Sequence, residues 1–276
     1  ERGYSKALAD EVWRQIESFS GYSFCKAHSA SFAAESFQSL YLKAHYPLEF
    51  IVAVINNFGG FYRTEIYFHE ARMLGGIIHP PCVYKSEKLT TLSGQQIYIG
   101  FIHLHQLERK TIIALLQERA NAGDFTSLED FIRRVIISSE QLDILIRINA
   151  FAFCEKTKYE LLWEKNRLFN PKIKLSGTGY LFGSFSEEAF TLPVLAVGPH
   201  DDAFDEIELL GFPLCSPFDL LLNQNAPSML AAQLKKQAGK TITSIGYYIA
   251  QKNIRTSNHK LMSFVTWIDR AGVYFD

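Results

Sequence analysis

The sequence predicts a multi-domain, mainly α-helical protein that ends in a small set of β-strands. A chain of 276 residues is too long for a single hydrophobic core of average size and long enough for two or three smaller cores. Apolar residues recur at helical spacing along most of the chain, as at Leu8, Val12 and Ile16. Residues 241–275 instead alternate apolar and polar side chains, which is typical of strands.

The first region is predicted to be helical up to the break at Pro80–Pro81. Ser5 is a suitable N-cap for the first helix. The second helix must stop before Pro47, because proline has no backbone N–H to donate. Helices are expected over 6–19, 29–45, 48–56 and 64–74. Arg72, near the end of the last of these, could touch nucleic acid but more readily caps the helix C-terminus.

The middle of the chain is predicted to hold a short hairpin and a group of helices. Two strand-like runs are joined by a turn at Ser93–Gly94. Residues 171–205 are rich in Gly, Ser, Pro and Phe, and we expect a long connector there. Expected strands are 88–92 and 96–100, followed by helices over 107–120, 128–135, 139–149 and 156–170.

The last region is predicted to hold two short helices, over 205–210 and 228–237, and three strands. Strands are expected over 241–253, 261–269 and 273–275. Three strands do not close a barrel comfortably, so the chain is expected to stop inside a domain.

Composition excludes several functional classes. The formal net charge is −1, so any nucleic-acid surface must be a local patch. The four cysteines form no CxxC pair and predict neither a disulfide framework nor a zinc site. The sequence contains no stretch of 18 apolar residues and no signal peptide, so no membrane partner is expected. The opening residues, ERGYSKALADEVW, lack an initiator Met, and we expect a fragment.

The stretch GYSFCKAHSASFAAESFQSLYLKAHYP, residues 21–47, carries the first candidate site. A helix N-terminus offers free N–H groups and about half a positive charge, which favours phosphate. Lys26 adds an ammonium group, His28 a further donor, and Ser29 a hydroxyl. From local chemistry alone the alternative stays open that Ser29 only caps the helix and that His28 is a packed histidine.

This stretch, continued through YLKAHYPLEF, resembles the fingers region of the bacterial C-family replicative polymerases, the DNA polymerase III alpha subunits. That family carries a segment of the form GYxFxKxHSxxYAxxxYxxxxLKxHYPxEF. Phe32 and Phe37 stand where the family usually has tyrosine. The resemblance implies that Lys26, His28 and Ser29 face a nucleoside triphosphate.

The segment IGFIHLHQLERKTIIALLQER, residues 99–119, resembles the family's helix-hairpin-helix. Such a hairpin uses two glycines to bring backbone N–H groups to a DNA phosphate. This chain has Gln106 and Glu108 in their place, so backbone binding is expected to be weak. Phosphate contacts are still expected from Arg109, Lys110 and Arg119, and a helical pair kept only for packing is the alternative. A second turn, RINAF, carries Asn149 where the family often has glycine, and asparagine tolerates the left-handed region.

Two further segments extend the resemblance. TGYLF, residues 178–182, stands where the family often has a clamp-binding peptide, with Leu181 and Phe182 as apolar plugs and Thr178 in place of glutamine. A loop packed on its own domain is the alternative. Residues 207–221 and the tail resemble the approach to an OB fold and its beginning, and Lys252 and Arg255 are expected to bind DNA.

The resemblance implies a helical fingers bundle over 1–82, a helix-hairpin-helix domain over 83–170, a clamp-binding connector over 171–205 and a truncated OB-like partial β-barrel over 206–276. It implies part of a cytoplasmic DNA-directed DNA polymerase, a nucleotidyltransferase of DNA replication or repair synthesis. The expected partners are primer–template DNA, dNTP and the sliding clamp.

The parent polymerase would hold Mg²⁺ in its palm, whereas no metal and no catalytic residue is expected in this fragment, which would be inactive alone. Asp201–Asp202, in a predicted loop, is the nearest acidic pair. Departures from the family pattern suggest an accessory or damage-tolerant paralogue. Two alternatives remain: a free-standing, non-catalytic DNA-binding or scaffold protein, and a hydrolytic enzyme using His103 and His105.

Overall fold

In the computed structural model, the described residues are 3–20, 26–169, 197–224 and 228–276. The chain divides into two compact units, residues 1–50 and 51–276. The described residues are mainly helical and form two three-stranded sheets, neither of which closes into a barrel. The predicted fold class is confirmed. The four-part division into domains remains a prediction.

The first unit contains helices α1 (Lys6–Ser20) and α2 (Lys26–His45), and α3 (Pro47–Asn56) follows them in the chain. The predicted N-cap of α1 is confirmed, because Ser5 Oγ accepts a hydrogen bond from Leu8 N at 3.3 Å. Large apolar side chains of α1 and α2 lie exposed in the described structure, namely Leu8, Val12, Trp13, Ile16, Phe32, Phe37, Leu40, Tyr41 and Leu42.

Helix α2 begins three residues earlier than the sequence predicted. Ser29 therefore lies inside the first turn, and the alternative that it caps the helix is wrong. The residues before it do not oppose a helix, since Lys26 and Ala27 are both good helix formers. In the sequence Ser29 resembles an N-cap, but the helix already includes the three residues before it.

The second unit begins with α4 (Thr64–Met73) and a small sheet of β1 (Ile77–His79), β2 (Thr91–Ser93) and β3 (Gln96–Tyr98). The strand order is β1-β3-β2, with β1 parallel and β2 antiparallel to β3. The predicted hairpin is confirmed, and Gly94 in its turn has a φ of +60°, which glycine adopts readily. Periodicity did not predict strand β1, but residues 71–83 resemble the polymerase-family segment in which a basic helix end leads to a proline-containing strand, and β1 lies in that segment.

Four helices follow, α5 (Arg109–Ala122), α6 (Leu128–Arg134), α7 (Ser139–Arg147) and α8 (Lys158–Phe169). Ser127 caps α6 by accepting from Asp130 N at 3.1 Å. Phe125, Phe131 and Phe151 are fully buried, and Phe131 meets the other two rings edge-on at 4.8 and 4.9 Å. These rings form the centre of the helical core.

The α-helices and strands described after α8 are α9 (Asp201–Leu210), α10 (Ala231–Leu234), β4 (Tyr247–Arg255), β5 (Leu261–Ile268) and β6 (Tyr274–Phe275). The three strands form an antiparallel sheet in chain order, with a register shift between Tyr248 and Ala250. Ile249 and Ile268 pack against Ile66, so this sheet lies on α4. Asp201 and Asp202 lie in the first turn of α9, so the predicted loop is wrong there.

Candidate nucleic-acid interface

The first hairpin turn directly precedes α5. Gln106 has a φ of +64°, in the left-handed region where the family places glycine. For a residue with a side chain this conformation costs about 1–2 kcal/mol. Glu108 occupies the N-cap position of α5, with φ −71° and ψ 137°. The turn thus keeps a hairpin backbone although both glycines are replaced.

Gln141, on α7, closes this turn. Its side-chain oxygen accepts from Glu108 N at 2.7 Å, and its Nε2 donates to Gln106 O at 2.8 Å. Gln141 is buried, so both bonds are shielded from water. The Glu108 amide, which a helix-hairpin-helix would offer to a phosphate, is therefore already in use.

The basic side chains on α5 have different surroundings. Arg109 and Lys110 are exposed, and Lys110 Nζ lies 2.7 Å from the Glu108 carboxylate. Arg119 donates to Val83 O at 2.8 Å, to Ser86 O at 2.9 Å and to the Glu87 carboxylate. Its side chain is only 12% exposed. Arg119 therefore ties α5 to the segment before β2, whereas Arg109 faces solvent.

The second hairpin turn follows α7. Asn149 has a φ of +60°, so the expectation that this turn survives with asparagine is confirmed. Asn149 N donates to Ile146 O and Ala150 N to Leu145 O, both at 3.0 Å, and these bonds end the helix. Val83 N donates to Ala150 O at 3.1 Å. Val83 thus bonds to Arg119 and to the second turn, and links α5 to that turn.

The three candidate nucleotide-binding residues share the first turn of α2. His28 is exposed and meets Phe32 edge-on at 4.4 Å, and Ser29 is half-buried. The side chain of Lys26 and residues 21–25 lie outside the described residues. The backbone therefore places all three residues on one turn, and their contact with a triphosphate stays a prediction.

The two candidate DNA-binding residues of β4 lie on opposite faces of its hairpin. Lys252 pairs with Phe264, and Arg255 pairs with Leu261, in an unbroken antiparallel register. Because side chains alternate along a strand, residues three apart point to opposite sides. Arg255 shares its face with Tyr248 and Trp267, whose rings lie 5.7 Å apart. A single DNA strand bound to one face of the hairpin would therefore contact Lys252 or Arg255 but not both.

The predicted clamp-binding peptide, with Thr178, Leu181 and Phe182, lies outside the described residues. Arg72, expected to cap its helix, instead donates to Leu214 O at 2.7 Å, far along the chain. That contact corrects the earlier interpretation, because the guanidinium joins α4 to the segment after α9.

The candidate metal-binding side chains do not come together in one site. His103 is buried, while His105 is exposed and its Nδ1 lies 3.3 Å from Glu208 O. Asp201 accepts from Gly198 N at 2.7 Å and from the Tyr159 hydroxyl at 2.5 Å. Asp202 pairs with Lys158. Among the described residues, no group of three or more His, Cys, Asp or Glu side chains could hold a metal ion.

No described helix combines the length and the apolar character needed to cross a membrane.

Sequence reasoning missed Gln141, although it lies at the centre of the first hairpin. Its spacing from Ser138 fits a capping box, which assigns a glutamine to its own helix end. Ser138 does accept from Gln141 N at 3.4 Å, but the glutamine side chain reaches the turn ahead of α5 instead. Loss of both hairpin glycines was the available signal, because a turn without them needs another source of hydrogen bonds.

Comparisons with known proteins agree with this geometry. A family model described as a helix-hairpin-helix motif matches residues 75–161. DNA polymerase III subunit alpha of Aquifex aeolicus is 28% identical over 283 residues, which cover 99% of this chain and 23% of that protein. The subunit alpha of Thermus aquaticus is 29% identical over 77% of this chain and 17% of its own length.

An error-prone DNA polymerase of Bdellovibrio bacteriovorus is 30% identical over 67% of this chain and 18% of that protein. The chain therefore spans about a fifth of the length of these curated relatives. The resemblance found in the sequence is confirmed over nearly the whole chain.

Proposed function

From this similarity to the DNA polymerase III alpha subunits, we propose that the chain is a portion of a DNA-directed DNA polymerase of replication or repair synthesis. It holds primer–template DNA and incoming dNTP, and bond formation belongs to another part of the parent protein. The near-complete coverage of the chain by a relative carries this proposal. The parent would act in the cytoplasm.

The hairpin geometry supports the DNA-binding part of the proposal. Gln106 and Asn149 both keep the left-handed backbone that the motif requires. The first turn gives its Glu108 amide to Gln141, so its affinity for phosphate must come mainly from side chains. Arg109 is the exposed cation nearest that turn whose guanidinium can reach a backbone phosphate. Arg119 makes internal bonds and contributes less.

Replacing Arg109 with Ala tests this proposal. We expect affinity for a primer–template duplex to fall about 2- to 5-fold at low salt, and the slope of log affinity against log salt to shrink by about 1. Fluorescence anisotropy at several salt concentrations measures both quantities. Arg167→Ala removes an exposed arginine from α8 and is the matched control. Identical curves for the wild type and Arg109→Ala would defeat the assignment.

The nucleotide-binding part rests on the first turn of α2. A triphosphate would approach the helix N-terminus, where Lys26 supplies the mobile charge and His28 and Ser29 supply donors. We expect Lys26→Ala to weaken dNTP binding about tenfold in a titration with duplex DNA present. Lys6→Ala, at the start of α1, is the control. Unchanged nucleotide affinity in Lys26→Ala would leave this turn as a helix start only.

Two further contacts belong to the same proposal. Leu181 and Phe182 would fill an apolar groove of the sliding clamp, and Thr178 would supply a weaker polar anchor than glutamine. Arg255, with Tyr248 and Trp267 on its face, would hold a single strand through charge and stacking. Lys252 lies on the other face and would contact a different part of the DNA.

The described residues do not fit the paired Mg²⁺ ions that DNA polymerisation uses. Asp201 is bound to Tyr159 and Gly198, and Asp202 is bound to Lys158. Within the described ranges no third carboxylate completes a metal site with them. The Mg²⁺ of the parent polymerase is accordingly assigned to the palm, and no chemical step is assigned to this chain.

A further inference from the structure

Helix α9 lies beside both turns of the helix-hairpin-helix region. His105, the residue before the first turn, donates its backbone N–H to Leu209 O at 2.7 Å. Arg147, in the last turn of α7, leads into the second turn and forms ion pairs with Asp205 and Glu208. The helix has the sequence DDAFDEIELL, in which five of ten residues are acidic. It therefore brings carboxylates next to a turn that is expected to bind DNA phosphate.

The Arg147–Glu208 pair has the geometry of an arginine–phosphate contact. Arg147 Nη1 donates to Glu208 Oε1 at 3.1 Å, and Nη2 donates to Oε2 at 2.5 Å, so two parallel bonds join the groups. Phosphate oxygens accept from a guanidinium in the same paired way. The third nitrogen, Nε, donates to Asp205 Oδ1 at 2.7 Å. Glu208 thus occupies the edge of the guanidinium that a phosphate would use.

This pair lies at the surface of the protein. The side chain of Glu208 is 57% exposed and that of Arg147 is 29% exposed. Exposed ion pairs contribute little to stability, because water hydrates both charges and salt screens them. Asp205, in contrast, is 15% exposed and also bonds to Lys158 at 2.6 Å. Glu208 is therefore the carboxylate that can turn into solvent and leave the guanidinium edge open, while Asp205 keeps its place.

The second turn itself offers a phosphate few donors. Asn149 N is bonded to Ile146 O and Ala150 N is bonded to Leu145 O, so these two amides already have acceptors. A DNA phosphate at this turn gains little from them and needs a side-chain donor instead. Arg147 is the cation two residues before Asn149.

We propose that Arg147 is a phosphate-binding residue of the second hairpin and that Glu208 competes with the DNA backbone for it. When duplex DNA binds, a backbone phosphate replaces the Glu208 carboxylate, while Asp205 and the rest of α9 keep their contacts. This inference rests on the proposed function, since duplex DNA is the ligand. It adds that a carboxylate of the same chain limits the affinity for DNA.

Replacing Glu208 with Gln tests the competition. The amide keeps the size of the side chain but removes its negative charge, so Arg147 becomes available. We expect Glu208→Gln to bind a primer–template duplex about 3- to 5-fold more tightly than the wild type at low salt, and the slope of log affinity against log salt to grow by about 1. Fluorescence anisotropy at several salt concentrations measures both quantities. Equal affinities for the wild type and Glu208→Gln overturn the inference.

Two further variants separate a direct contact from a change in net charge. Arg147→Lys/Glu208→Gln has the same net charge as Glu208→Gln, but lysine cannot form the paired bonds, so at least about half of the gain should be lost. Glu11→Gln releases Arg14 from an exposed ion pair on α1 and changes the net charge equally. It should alter affinity less than about twofold. If either variant binds as tightly as Glu208→Gln, long-range charge explains the gain and Arg147 is not a phosphate contact.

The guanidinium ¹⁵N resonances of Arg147 test the wild type itself, so this measurement does not depend on the folding of a Glu208 variant. The resonances are identified by their absence from Arg147→Lys. They should shift when the wild type is saturated with duplex, because the guanidinium exchanges a carboxylate for a phosphate. Unchanged resonances in the saturated complex mean that Arg147 stays paired with Glu208, and they overturn the inference.

The same titrations separate this inference from the proposed function. Duplex binding by the wild type, with no gain in Glu208→Gln or no shift at Arg147, overturns only the role of Arg147. Absence of duplex binding by both the wild type and Glu208→Gln overturns the DNA-holding function and this inference together.

Discussion

Two turns of the chain place a residue with a side chain in the backbone conformation that glycine adopts most easily. Asn149 tolerates this region because its short amide can bond locally. The longer side chain of Gln106 lacks that advantage. The two hydrogen bonds from the Gln141 side chain to Gln106 O and Glu108 N offset the cost of the left-handed backbone at Gln106. The two buried hydrogen bonds that Gln141 supplies also take up the Glu108 amide. We therefore expect the hydrogen bonds that stabilise this turn to weaken its binding of phosphate.

The buried His103 makes the stability of the folded chain depend on pH. Burial lowers its pKa from 6.5 to about 4, and its ring lies against Phe58 and Phe68. Its Nε2 is buried without a partner among the described residues. Between about pH 6.5 and pH 4 His103 is protonated in the unfolded chain but stays neutral in the folded chain. The stabilisation from His103 is therefore complete above pH 6.5 and is lost as pH falls towards 4.

We expect His103→Phe to flatten this part of the stability–pH curve. The wild type should lose roughly 3 kcal/mol at most from this group between pH 7 and pH 4, and the variant should lose correspondingly less. Urea unfolding at several pH values measures the difference. His45→Asn, on the exposed end of α2, is the control. Parallel curves for the wild type and His103→Phe would show that His103 is not the group responsible.

At the scale of elements, local signals predicted the long helices and the β2–β3 hairpin, because apolar spacing, Ser caps and Gly turns act within a few residues. The same signals failed at β1. Its three residues, Ile77–His79, are too short for a period, and the strand exists only because β3 lies beside it. Strand formation there depends on a partner about 20 residues away, which no local pattern contains.

The candidate site was predictable in part for the same reason. Asn149 follows from its own backbone preference, and the structure confirms it. The tertiary partners of Arg119, Arg72 and Gln141 lie 32 to 142 residues away in the sequence, so no local pattern identifies them. Arg119, one of the predicted DNA contacts, makes internal bonds to Val83, Ser86 and Glu87 that the sequence did not indicate. Exposure separates Arg109 from Arg119, and exposure is a property of the folded chain.

At the scale of the whole molecule, charge and coverage limit what the chain does by itself. A net charge of −1 gives no general attraction to DNA, so we expect any DNA binding to depend on local exposed cations such as Arg109 and Arg255. The relatives are four to six times longer than the matched segment. DNA holding and bond formation can accordingly lie in different parts of one polymerase.

We therefore expect the 276-residue chain to bind a primer–template duplex without extending it. Two-metal catalysis needs carboxylates that are free to hold both ions. Asp201 and Asp202 are the acidic pair that most resembles such a site, and they already bond to Tyr159, Gly198 and Lys158. The test incubates the chain with labelled primer–template, all four dNTPs and Mg²⁺, and resolves the products by length. Anisotropy on the same sample shows that the chain is bound. Primer extension that persists after a further purification step would contradict the assignment of catalysis to the palm, because the active carboxylates would then lie in this chain.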